Sequence, residues 1–352
     1  MKKTFLLLFT IWSVGILAQS ETISDSALIA MEKADIAQVL FDQEKFSEGL
    51  SLMKEAAALQ PNHYQYAFQV GFIYFQLRNY NEAVKQLEKT KSMKGCEEGL
   101  FQLLGNTYYI LSDKTKAMAT FDQGLSKFPE SGLLFAEKGK LYQETDHGKA
   151  LYYFEKGIEL DPNFAMNYFH AAMLYFQQAE NIKGILHGEI FMLLNRNTNF
   201  TAAMSELLYN EYKESILIKD NGKLEFHFCN PVKSDAIVSL KNMKTFPPFC
   251  VAYSSMLNES GLNVNVLNAA NIHALRAKVL EKYYADHLNE HYQEWVFDFQ
   301  NVIQQAGHLE AYNHWLMMNG SELEFLQWKE NNEEEWSAFT SWFSQHDMTF
   351  PE

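Results

Sequence analysis

The 352-residue chain is poor in cysteine, with only Cys96, Cys229 and Cys250. Three thiols exclude a disulfide-stapled framework, and an odd number in an exported chain leaves at least one outside any intramolecular bridge. Two readings stand for Cys229 and Cys250, which both lie near turn-rich segments of the second half. They form a bridge, or all three cysteines serve as small buried hydrophobes. Positive charge is also scarce: 29 Lys and Arg face 44 Asp and Glu, a formal net charge of −15. Without a clustered basic face, a generalised affinity for nucleic acid or anionic membrane is not expected. After residue 18 no apolar run is long enough to span a bilayer. The serine-elbow, P-loop and dinucleotide glycine motifs are all missing, so no cofactor is expected.

Hydrophobic residues make up 47% of the chain, ample for a packed core, and the length suits two domains. Residues 1–18 read as a secretory signal: Lys2-Lys3, an apolar middle over 5–17, and Ala18 before the cleavage point. The competing reading is an N-terminal anchor or a buried helix. Cleavage would leave a mature chain starting at Gln19, exported to the periplasm or secreted. No cysteine follows that point, so lipid attachment there is not indicated.

The main positive signal is a period. A small residue recurs at Ala37, Gly71, Gly105, Gly139 and Ala172, and three places later stand Leu40, Tyr74, Tyr108, Tyr142 and Tyr175. Twelve after the small residue come Gly49, Ala83 and Ala117, with Ala150 one place early. Met53, Leu87, Phe121 and Phe154 follow, and units close on Gln60-Pro61, Phe128-Pro129 and Asp161-Pro162. Apolar residues three and four apart form one stripe of a helix. A glycine on that stripe costs about 1 kcal/mol and needs a packing reason, which a closely approaching second helix supplies. Proline then stops the second helix. The spacing and residue types resemble the tetratricopeptide repeat. The resemblance covers 29–200 in about five units and implies an all-α solenoid of helical hairpins.

Residues 201–352 lose the period and read as a mostly helical, aromatic-rich C-terminal domain. Asp220-Asn221-Gly222-Lys223 between apolar runs predicts one β-hairpin. A short strand is expected at 236–240, and helices at 249–260, 269–290, 296–306, 309–318 and 322–345. The acidic stretch 330–335 is either a solvated face or a break in the last of these. This half resembles the C-terminal region of exported repeat proteins of Bacteroidetes-type bacteria, a resemblance that implies no activity. Glu189 and Arg196, seven apart, either pair in a buried contact that fixes the junction of the two halves or are solvated.

In the resembled family, ligands take the concave face, lined by the first helix of each unit. Transferred here, that face holds Phe41, Phe68, Phe72, Phe75, Gln102, Asn106, Tyr109, Lys140, Phe169 and Phe176. Such a phenylalanine-rich groove suits a partner peptide or protein, or is filled by the chain's own C-terminal domain. The leading expectation is therefore a non-catalytic exported interaction scaffold. The alternative is a zinc-dependent hydrolase: His287-Leu288-Asn289-Glu290-His291 matches the H-x-x-E-H pattern, with two histidines on one helix face and a glutamate to activate water. In a third possibility, the repeats only brace a C-terminal domain that carries the real site.

Overall fold

The computed structural model describes residues 24–229, 247–347 and 349–350. The expected leader at 1–18, its cleavage point and the strand at 236–240 lie outside the described residues. Ten helices form five antiparallel pairs: α1 (Asp25–Asp42) with α2 (Phe46–Leu59), α3 (Tyr64–Gln76) with α4 (Tyr80–Thr90), α5 (Glu98–Ile110) with α6 (Lys114–Lys127), α7 (Gly132–Tyr142) with α8 (His147–Leu160), and α9 (Ala165–Gln177) with α10 (Asn181–Leu194). The fold is the expected helical-hairpin solenoid with a mostly helical C-terminal part. No helix among the described residues is long and apolar enough to cross a membrane.

The small-residue notch sits where the two helices of a pair touch. A Cβ on Gly71 would collide with the Leu87 side chain, one on Gly105 with the Phe121 ring, and one on Gly139 with the Phe154 ring. Those three partners are fully buried. In the first and fifth pairs the notch moves to the second helix: the Phe41 ring lies over Gly49 and the Phe176 ring over Gly184. A further small position joins successive pairs, with Gly124 against Phe101 and Leu134, and Gly157 against Asn167. The turn inside four of the pairs repeats as well. Glu44, Arg78, Ser112 and Ala179 are left-handed, with φ between 56° and 63°. The amides of Lys45, Asn79, Asp113 and Glu180 reach back to carbonyls five residues earlier, closing each first helix.

Two compact units divide the chain, Met1–Cys96 and Glu97–Glu352. The expected boundary near residue 200 is crossed by one hydrophobic core, which runs from Tyr168 to Phe350. In that core α11 (Asn199–Ser215) covers α10 and leads into a two-stranded antiparallel hairpin, β1 (Ile216–Ile218) with β2 (Leu224–Phe226). Gly222 makes the tight turn at φ 76°. Then follow α12 (Phe249–Glu259), α13 (Ala269–Ala285), α14 (Trp295–Gln305), α15 (Leu309–Leu316), α16 (Glu322–Asn331) and α17 (Glu333–Gln345). Helix α13 is central and packs on α12, α14 and α15.

One helix expectation needs correction, and the open reading of 330–335 is decided as a break. The helix over 269–290 ends at Ala285, because His287 turns left-handed at φ 56° and the buried Leu288 folds back into the core through a short 3-10 turn. The helix over 322–345 breaks at Asn332, whose side-chain amide donates to the Trp328 carbonyl at 2.8 Å while its own carbonyl starts α17.

The notch generates a test within one helix. Gly105→Ala should destabilise the protein by about 1–3 kcal/mol, since overpacking against Phe121 exceeds the gain in helix propensity. Gly99→Ala, where a Cβ meets nothing within 4 Å, should stabilise it by up to about 1 kcal/mol. Urea-unfolding midpoints of the two variants check the sign of each; equal effects would remove the packing role of Gly105.

Candidate protein-interaction surface

In the first unit the expected face reduces to one stripe. Phe68, Phe72 and Phe75 lie four and three residues apart on α3, and all three are half-buried. Phe68 stacks on Tyr64 with centroids 5.8 Å apart, and Phe75 meets Tyr80 edge-on at 5.6 Å. Phe41 does not join them; it is buried over Gly49 inside its own helix pair.

In the second unit the same helix positions carry polar chemistry. Glu137 on α7 is only 4% exposed, yet its carboxylate accepts from Gln102 on α5 at 2.7 Å and pairs with Lys140 at 2.6 Å. Tyr109 is exposed, with the Lys114 ammonium 5.6 Å from its ring centre, and Asn106 is half-buried. Phe169 is covered from within the chain, 5.1 Å from Phe191 and 5.2 Å from Phe200 of α11. Phe176 is turned onto Gly184. The fifth pair's share of the expected face is thus taken up by intramolecular packing. The signal was present in the sequence: Gly49 and Gly184 stand where the other copies have alanine, each with a phenylalanine eight residues earlier.

Beside this polar cluster His170 stacks on Phe154 at 5.0 Å, and its Nδ1 has no hydrogen-bond partner among the described residues. Burial, helped by the Lys140 charge, pushes its pKa down to about 4. His314 is similar: 2% exposed, stacked on Trp328 at 4.3 Å, with neither ring nitrogen bonded among the described residues, and pushed to about 4 by burial.

A buried polar network lies at the junction of the fifth helix pair with the C-terminal helices. Glu189 on α10 is fully buried, and its Oε1 accepts from Arg276 at 2.7 Å, Gln300 at 2.8 Å and Tyr312 at 2.8 Å. Arg276 on α13 also donates to Asn313 and to the Tyr212 hydroxyl. Burial by itself would lower the Arg276 pKa, but the Glu189 carboxylate more than reverses this and raises it well above the usual arginine value. Burial, with the same carboxylate, pushes the Tyr312 phenol far up. The expected Glu189–Arg196 pair is not formed. Helix α10 stops at Leu194, so the helical spacing that would align the two does not reach Arg196. Arg196 instead donates to the carbonyls of Leu193, Phe343 and His346, with its guanidinium 3.8 Å from the Phe343 ring centre. Arg276, the true partner, lies 87 residues away in sequence, and no local spacing signals it.

His287, Glu290 and His291 follow the end of α13 and do not share a helix face. His287 and Glu290 are strongly exposed, 3.2 Å apart. Among the described residues no group of three or more His, Cys, Asp or Glu is arranged to hold a metal ion. The three cysteines form no disulfide among the described residues; Cys229 Sγ is 3.6 Å from the Ser254 hydroxyl.

A family model described as "Tetratricopeptide repeat" matches residues 64–94, which span α3 and α4. Residues 64–94 carry a tetratricopeptide repeat. Over 137 residues, 37% of this chain, the sequence is 27% identical to Tetratricopeptide repeat protein 8 of Mus musculus. The chain spans only 26% of that relative's length. Among solved structures, MamA 41-end from Desulfovibrio magneticus RS-1 is similar at 18% identity and a TM-score of 0.39, covering 50% of this chain and 99% of that one. YrrB, titled a TPR protein with an unusual peptide-binding site, covers 49% of this chain and 89% of its own at 18% identity and a TM-score of 0.35. The matched repeat is the second of the five helix pairs, and the C-terminal helices are built onto the last pair.

Two predictions follow from the buried groups. Arg276→Met should cost about 3–5 kcal/mol by leaving Glu189 charged and unpaired, and adding Glu189→Leu should recover part of that loss. Additive penalties in denaturant unfolding would show that the pair is not coupled. The buried histidines are neutral in the native state and protonate near 6.5 when unfolded. The unfolded chain then binds more protons between pH 6.5 and 4, so stability falls as pH falls through that window. His314→Phe should flatten the dependence by up to about 1.4 kcal/mol per pH unit, read from urea midpoints across the window; an unchanged slope would mean that His314 does not contribute.

Proposed function

We propose that the protein is a non-catalytic, exported interaction scaffold that grips a polypeptide partner on the first-helix faces of its repeats. The observation that carries this reading is the Phe68, Phe72 and Phe75 stripe on α3: three phenylalanines on one helix face, none of them buried. Half-exposed aromatic rings held on a rigid helix bind apolar side chains of an extended or helical peptide at little entropic cost. Export is supported by the charged start and apolar run of residues 1–18.

Affinity capture from the native envelope tests the reading. The Phe72→Ala, Phe75→Ala double variant should lose its captured polypeptide, with at least about tenfold weaker binding and unchanged helical content. Retention of the same partner by the double variant would overturn the assignment of this face.

A further inference from the structure

Phe350, beyond α17, is not left in solvent. It binds back onto the fifth repeat and its neighbours. Phe350 is 6% exposed, and its ring stacks on Tyr168 with centroids 6.1 Å apart and planes 4° from parallel. Trp295 at 5.0 Å and Phe299 at 5.6 Å meet the same ring edge-on, which completes a three-sided aromatic pocket. The backbone of Phe350 is read as well as its side chain. Its N–H donates to Asn163 Oδ1 at 2.8 Å, and its carbonyl accepts from Asn163 Nδ2 at 3.2 Å. One carboxamide thus makes both hydrogen bonds that a neighbouring β-strand would make. Arg196 holds the approach to the pocket through the carbonyls of Phe343 and His346.

A site that recognises an extended main chain by a paired donor and acceptor, and one side chain by an aromatic pocket, has the two elements of peptide recognition. A plain hydrophobic anchor needs only the pocket. We propose that this notch is a peptide-binding site for an extended polypeptide presenting a phenylalanine, and that the chain's own Phe350 occupies it in cis. The notch uses neither the Phe68, Phe72 and Phe75 stripe nor any other residue assigned to the scaffold face, so it stands or falls separately from the scaffold reading above. A tether of this length presents the cis residue at an effective concentration on the order of mM, so a free peptide binds readily once the cis ring is removed and otherwise competes only in large excess.

The test uses the full-length chain. Phe350→Ala empties the pocket and leaves the core helices untouched. A labelled synthetic peptide of residues 344–350, capped at both ends, should bind this variant saturably at one site, at least about tenfold tighter than it binds the unsubstituted chain. Adding Asn163→Ala should weaken that binding by about tenfold or more, and a peptide carrying alanine for its phenylalanine should not bind. Equal binding to the variant and the unsubstituted chain, or indifference to Asn163→Ala, would mean that the segment is only a structural clasp. Circular dichroism checks that the Phe350→Ala variant is folded. If it is not, amide exchange decides: a large excess of free peptide should speed exchange of the Phe350 N–H in the unsubstituted chain, and an unaltered rate overturns the proposal.

Discussion

Each helix pair depends on one contact, a large apolar side chain seated on a residue with little or no side chain across the pair. Glycine in a helix interior is unfavourable by about 1 kcal/mol, and burying a ring or a leucine against it returns more than that. In the second to fourth pairs the first helix carries the notch and Leu87, Phe121 or Phe154 fills it. In the first and fifth pairs the polarity reverses, with Phe41 over Gly49 and Phe176 over Gly184. The contact is kept while its residues trade sides. That reversal has a consequence at the surface: an aromatic ring that would face outward is drawn inward at both terminal pairs.

The passage from repeats to C-terminal helices rests on a different kind of contact. Helix α10 is mostly apolar, and Oε1 of its buried Glu189 accepts from groups on α13, α14 and α15, while Oε2 has no partner among the described residues. A buried charge is costly to desolvate, and partners at other distances or angles would not offset that cost. The network therefore favours one seating of the C-terminal helices on the last repeat, where apolar packing alone would tolerate several. The tail extends the same logic to main-chain atoms, with Asn163 and Arg196 each satisfying carbonyl or amide groups that follow α17.

Much of the repeat architecture was legible because every copy solves the same local packing problem at the same spacing, so the residues recur. The β-hairpin was legible because Asn221-Gly222 fits few other backbone geometries. Helix ends were less so: His287 adopts a left-handed conformation that its residue type does not announce, and this took the H-x-x-E-H pattern off a helix face. On the candidate surface, the phenylalanines of α3 stand where helical spacing put them. Phe41, Phe169 and Phe176 were absorbed into packing, because a glycine or a later helix offered each ring a drier place.

By itself the sequence determined the helix pairs, their notches and the change of character near residue 200, all of which follow from interactions between residues close in the chain. Only the tertiary structure decided which carboxylate meets which guanidinium and where Phe350 returns. Those outcomes join residues separated by 87 to 187 positions. Over such distances partner choice is made by the geometry of the assembled core, and no periodic pattern records it.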